Sequence, residues 1–86
     1  MDPWKILKHP YMTEKSISLV ERANTVVFVV DRKANKTKIR EAFEKVFEVK
    51  VAAVNTEITL IGEKKSYIKL KPEFKAADVA VKLGII

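Results

Sequence analysis

Five cations lie within ten residues near the centre of the 86-residue chain: Arg32, Lys33, Lys36, Lys38 and Arg40, against the single acid Asp31 and interleaved with Asn35 and Thr37. Guanidinium forks grip phosphate oxygens in pairs and an ammonium acts as a point charge, so the segment has the chemistry of a phosphate cradle. The whole chain agrees in sign. Its 17 Lys and Arg against 11 Asp and Glu give a net +6, and two thirds of that excess sits in this one segment. Clustered positive charge is the footprint of nucleic-acid binding, although an anionic membrane surface would attract the same charge. A second basic stretch follows: Lys64, Lys65, Lys69, Lys71 and Lys75. Tyr67 alternates onto one strand face with Lys65 and Lys69. An aromatic flanked by cations on a sheet can stack a base or a sugar, and a half-exposed tyrosine is equally common as plain surface.

Residues for other chemistries are missing. The one histidine, His9, stands between Lys8 and Pro10 with no second histidine or nearby carboxylate to orient it, which favours a structural or phosphate-contacting role over general-base catalysis. Gly62 and Gly84 are isolated, so neither a Walker loop nor a dinucleotide fingerprint exists. There is no cysteine, which removes thiolate catalysis, thiolate metal sites and disulfides, and suits a reducing compartment. The chain reads as a non-enzyme without cofactor, metal or small-molecule substrate.

The remaining composition, 48% hydrophobic and 33% charged, is that of a folded domain and too apolar for a disordered tail. Residues 1–86 read as one domain with a thin core, with no repeat or linker to divide them. No apolar run approaches the roughly 20 residues that span a bilayer, and Met1-Asp2-Pro3-Trp4 lacks the zones of a signal peptide, so a cytoplasmic protein is expected. Glutamine is absent while Lys and Glu abound, a bias associated with heat-adapted organisms.

The elements that must position the charges follow from periodicity. Ile6 and Leu7, between Pro3 and Pro10, suit a short strand. Thr13 caps a helix running to about Arg22, with Glu14 in its first turn and Met12 and Ile17 spaced as a hydrophobic staple. Thr25 to Val30 is β-branched and apolar on both faces, as in a central strand. Ile39, Ala42, Phe43, Val46 and Phe47 recur at helical spacing in a second helix capped at Asn35 or Thr37. Val49 to Leu60 and Lys65 to Leu70 form a hairpin turned at Gly62, and a short helix around Ala76 to Leu83 ends at Gly84. Phe28, Phe43 and Phe47 lie at core positions, and Trp4 is expected to anchor the terminus. Hairpin-paired strands with few βαβ units favour an antiparallel or mixed sheet with helices on one face.

With these pieces in place, the chain resembles the L-twenty-three family of large-subunit ribosomal proteins in its archaeal form, across essentially its whole length. His9-Pro10 followed by Thr13-Glu14-Lys15 matches the family's proline, then Thr or Ser, Glu, Lys. Ala34-Asn35-Lys36-Thr37-Lys38-Ile39 matches its approach to the second helix. Val51, Val54, Asn55 and Thr56 match its Val-x-x-Val-Asn-Thr strand, and Gly62-Glu63-Lys64-Lys65 leads into the matching Tyr67-x-Lys69-Leu70. The resemblance implies an α+β fold, a four-stranded antiparallel sheet with helices packed on one face. It also implies a ribosomal RNA-binding protein at the rim of the polypeptide exit tunnel, a monomer within the ribosome. Carried over by position, Lys5, Lys8, His9, Arg32, Lys33, Asn35, Lys36, Thr37, Lys38, Arg40, Asn55, Thr56, Lys64, Lys65, Tyr67 and Lys69 would meet large-subunit ribosomal RNA. Glu14 matches the acidic position that relatives offer to nascent-chain factors. The implied neighbours are ribosomal protein L-twenty-nine and the GTPase subunit of signal recognition particle. Ile61 to Lys64 is a tight connection where bacterial members carry a long loop, so the tunnel-lining role of that loop does not transfer.

Two rival readings stand beside this one. A free-standing RNA-binding module of split-βαβ type would show exposed aromatics at neighbouring strand positions, where only Tyr67 qualifies. A protein-interaction adaptor would use Glu14 and the first helix as its main surface.

Overall fold

The computed structural model describes residues 2–84, so Met1 of the targeting argument lies outside the described residues. Eight elements follow in order: α1 (Pro3–Ile6), β1 (Leu7–Pro10), α2 (Glu14–Ala23), β2 (Thr25–Val30), α3 (Lys36–Phe47), β3 (Val51–Ile58), β4 (Lys64–Leu70) and α4 (Ala76–Leu83). The strands form one antiparallel sheet in the order β1-β2-β4-β3. β2 is interior, as its two-sided apolar sequence requires, and all six of its residues are buried.

One face of the sheet carries the core. Val26, Phe28 and Val30 of β2, Ile68 and Leu70 of β4, and Val51 and Val54 of β3 meet Ile39, Ala42, Phe43 and Phe47 of α3. Val20 of α2 and Ala76, Val79 and Ala80 of α4 complete the cluster. Phe28 meets Phe43 edge to face at 5.9 Å between ring centres, so the three phenylalanines are packing residues. The opposite face of the sheet is free of helices along most of its length, and it carries Val27 and Val29 outside the main cluster. Ser66 is fully buried on the core side, and its hydroxyl has no hydrogen-bond partner among the described residues. A buried orphan costs free energy, so Ser66→Ala is expected to raise stability by about 1 kcal/mol in chemical denaturation. A loss of that size would expose a partner for the hydroxyl.

Boundaries differ from the sequence reading where caps and turns decide them. Ile6 ends a one-turn helix instead of opening a strand, because Asp2 accepts the Trp4 N–H (3.0 Å) and Pro3 takes the first helical position. Trp4 does meet the core edge-on, with its ring 6.3 Å from Phe47. The cap of α2 is a reciprocal pair, Ser16 N–H to Thr13 Oγ1 (3.1 Å) and Thr13 N–H to Ser16 Oγ (2.8 Å), while Met12 and Ile17 stay exposed. β3 starts only at Val51. Glu48 turns left-handed after α3 (φ 55°), and the Glu44 carboxylate accepts the Val51 N–H at 2.8 Å. At its far end Thr59 closes a turn on Gly62 and Glu63, with Gly62 at φ 85°. Leu60 and Ile61 at the tip of that turn are 108% and 81% exposed.

Asn24 joins three elements. It sits left-handed at the end of α2 (φ 50°), and its side-chain NH₂ donates to the carbonyls of Leu70 (3.3 Å) and Phe74 (2.8 Å). Its Oδ1 accepts the Ala76 N–H at 2.7 Å. Lys75 gives α4 no side-chain cap, so Asn24 caps that helix from about fifty residues away.

Candidate nucleic-acid interface

The connection from β2 to α3 holds the first basic cluster in a defined shape. Ala34 N–H donates to Asp31 O (3.0 Å), and the Asp31 carboxylate accepts the Lys33 N–H (3.3 Å). Asn35, not Thr37, is the cap: its side chain accepts the Lys38 N–H at 2.8 Å. The N–H groups of Lys36 and Thr37 in the first turn of α3 remain at the helix's positive end, where an anion is favoured. Arg32, Lys33, Asn35, Lys36, Thr37, Lys38 and Arg40 are all exposed.

The fold brings the second basic stretch to the first. Lys64 Nζ donates to the carbonyl of Ala34, inside the β2–α3 connection. The Arg32 guanidinium reaches the β3–β4 turn, 3.7 Å from where a Cβ on Gly62 would stand. Gly62 is required there by its positive φ of 85°, since a side chain would make only ordinary contact with the arginine. Cations more than thirty residues apart in sequence thus share one end of the sheet.

The other expected contacts divide by strand alternation. His9, Asn55, Lys65, Tyr67 and Lys69 lie on the helix-free face, through the pairs His9↔Val29, Val29↔Lys65, Asn55↔Tyr67 and Thr25↔Lys69. Thr56 pairs with Ser66 and points to the helix-covered side, so it does not share a face with Asn55. Lys5 is exposed on α1, which packs on α3, and Lys8 is exposed at the irregularity in β1. His9 Nδ1 lies 3.1 Å from its neighbour Pro10 O, and its ring is exposed.

On the helix-free face Lys65 is the hub. Its ammonium lies 4.4 Å from the centre of the Tyr11 ring, 5.7 Å from that of Tyr67 and 3.6 Å from the Glu57 carboxylate. Burial alone would lower its pKa, but the neighbouring Tyr67 hydroxyl, together with the Tyr11 phenol and the Glu57 carboxylate, holds it above the ordinary lysine value. Lys65 is therefore a cation throughout the neutral range. Tyr11 escaped the sequence reading. Its signal was its spacing two residues beyond His9, and the ladder does continue there, with Tyr11 N–H donating to Val27 O (2.9 Å).

Glu14 is exposed in the first turn of α2, where its charge complements the helix dipole. It is not remote from the cationic surface, since its neighbours Thr13 and Lys15 border the same cleft as Lys65 and Tyr67.

The sequence profile of the family described as ribosomal protein L23 matches residues 5–84. Large ribosomal subunit protein uL23 of Methanothermobacter thermautotrophicus is 49% identical over 85 residues, covering 99% of each chain. The protein of the same name from Methanococcus vannielii is also 49% identical, again over 99% of each. The Dictyostelium discoideum uL23 is 50% identical over all 86 residues, which span 51% of that longer chain. This similarity covers the Asp31–Arg40 segment, the β3–β4 hairpin and the start of α2 alike, and the chain belongs to the ribosomal protein L23 family, non-catalytic structural constituents of the large ribosomal subunit.

Proposed function

We propose that the chain binds large-subunit ribosomal RNA through one continuous cationic surface. That surface comprises the β2–α3 connection, the first turns of α3, Lys5 and Lys8, and the β3–β4 hairpin. The observation that carries this reading is the meeting of Lys64 with Ala34 and of Arg32 with the hairpin turn, which concentrates charge beside the start of α3. Recognition is of RNA shape and backbone, with phosphates held by Arg forks, Lys ammonium groups and helix N–H groups. His9, Asn55, Lys65, Tyr67 and Lys69 extend the contact along the strands of a single RNA-binding domain, and Thr56, on the opposite face, stands apart from that extension. Footprinting of the purified protein on large-subunit RNA tests this. Protection of a discrete RNA segment that survives moderate salt supports it, and uniform weak binding erased by salt overturns it.

The same reading places the protein in the cytoplasmic ribosome at the rim of the exit tunnel, beside ribosomal protein L-twenty-nine, with the start of α2 as a docking point for the GTPase subunit of signal recognition particle and for nascent-chain factors. Glu14 supplies the charge for that contact. Glu14→Lys is expected to cost about 0.3 to 1 kcal/mol of stability through the helix dipole, and also to weaken recruitment of the particle to assembled ribosomes. Recruitment of unaltered affinity at low and physiological salt would leave Glu14 as a helix-stabilising charge alone.

A further inference from the structure

Val27 lies on the helix-free face of the interior strand, yet it is only 3% exposed. Two tyrosines flank it in register: Tyr67 pairs with it from β4, and Tyr11 bonds to its carbonyl from the end of β1. Between the two rings stands the Lys65 ammonium. The start of α2 closes one side with Thr13, Lys15 and Leu19. The result is a cleft of about 210 Å³ floored by Val27, walled by the tyrosine rings and rimmed by Lys15 and Lys65 together with the Glu57 carboxylate, which lies 3.6 Å from the Lys65 ammonium.

Each part constrains the occupant. A cationic side chain would have to displace Lys65, which already lies over the tyrosine rings and pairs with the one carboxylate of the cleft, Glu57. An acidic peptide would meet the lysines but leave the floor and ring faces unused. The volume is below the roughly 300 Å³ at which pockets for drug-sized ligands begin, which suits one planar ring. A planar π-system attached to an anionic backbone satisfies all three features, and aromatic side chains on an open sheet are a recurrent platform for single unstacked bases. We infer that the Tyr11–Lys65–Tyr67 cleft seats one unstacked nucleotide of bound RNA, its base against the tyrosine rings and its phosphate at Lys15 and at Lys65, where it displaces the exposed Glu57 carboxylate. The inference rests on the RNA-binding reading above and adds a base-contacting site to a surface otherwise devoted to phosphates.

The test uses the full chain bound to the large-subunit RNA fragment it protects, with chemical probing of base reactivity. In the wild-type complex one unpaired nucleotide is expected to change reactivity. Tyr67→Leu and Tyr11→Leu keep an apolar cover over Val27. They should return that nucleotide to its free-RNA reactivity and weaken binding about tenfold, with the salt slope and the remaining protections unchanged. Ultraviolet cross-linking of the unmodified complex gives a second reading that needs no variant, with Tyr11 or Tyr67 expected as the attachment point. An unaltered reactivity map in the folded variants, with cross-links only at other residues, overturns the inference and leaves the cleft as a structural cluster or a seat for a neighbouring protein. Absence of any footprint with the wild-type chain removes the RNA-binding reading itself, and the nucleotide site with it.

Discussion

Replacing Arg32, Lys36, Lys38 and Arg40 together by Ala is expected to weaken binding to large-subunit RNA by about 4 kcal/mol, on the order of a thousandfold, at low salt. Each cation neutralises a phosphate at about 1 kcal/mol, so the slope of log affinity against log salt should fall by roughly 3 to 4. The fold should survive, because all four side chains are exposed and three lie on α3, where Ala is the best helix former. The Lys64–Ala34 contact uses a backbone carbonyl and is untouched. Filter binding over a salt series, with circular dichroism as the control, measures both quantities. Unchanged affinity and slope in a folded quadruple variant would move the interface off the Asp31–Arg40 segment.

The largest effect on stability is expected at a residue that touches no proposed ligand. Asn24→Ala removes two donors and one acceptor from backbone groups of Leu70, Phe74 and Ala76, and forces alanine into a left-handed conformation at φ 50°. Lost hydrogen bonds to partly buried groups and backbone strain together amount to about 3 kcal/mol, or roughly 15 °C in melting temperature for a domain of this size. Asn24→Gly separates the two parts, since glycine accepts the conformation and should recover about 1 kcal/mol. Thermal and urea denaturation of both variants give the answer. A cost below about 0.5 kcal/mol for Asn24→Ala would mean that α4 is held by packing of Val79 and Ala80 alone.

What the sequence made legible follows the range of the interactions concerned. Thr25 to Val30 could be read to the residue because its cause is local: β-branched side chains, apolar on both faces, with no breaker. α4 was equally clear from its alanine spacing and Gly84, which does turn left-handed at φ 76°. α1 was missed as a four-residue helix, too short for periodicity to register, although Asp2 and Pro3 carried its signal. The ends of β3 were misjudged because Val49 and Thr59 look like strand residues, and the left-handed Glu48 and the Thr59 turn exclude them. For the interface, the charges themselves were plain. Their convergence was not, since Lys64 meets Ala34 and Arg32 meets Gly62 only through the β2–β4 pairing, which one sequence does not reveal. The role of Asn24 was hidden for the same reason, its partners lying about fifty residues away.

The Thr59 turn bears on the colloidal behaviour of the free chain. Leu60 and Ile61 stand outward on the turn that follows β3, an edge strand of the sheet. Two copies meeting tip to tip would bury apolar area, and the mutual repulsion of bodies carrying +6 each opposes that meeting. That repulsion weakens as the Debye length shrinks to about 10 Å at 0.1 M salt, and it vanishes when a polyanion coats the cationic end. On the RNA-binding reading proposed above, the free subunit has its self-association opposed by the same charge that assembly would neutralise. Its most precarious moment is an encounter with a polyanion that cancels the charge but offers no cover for Leu60 and Ile61.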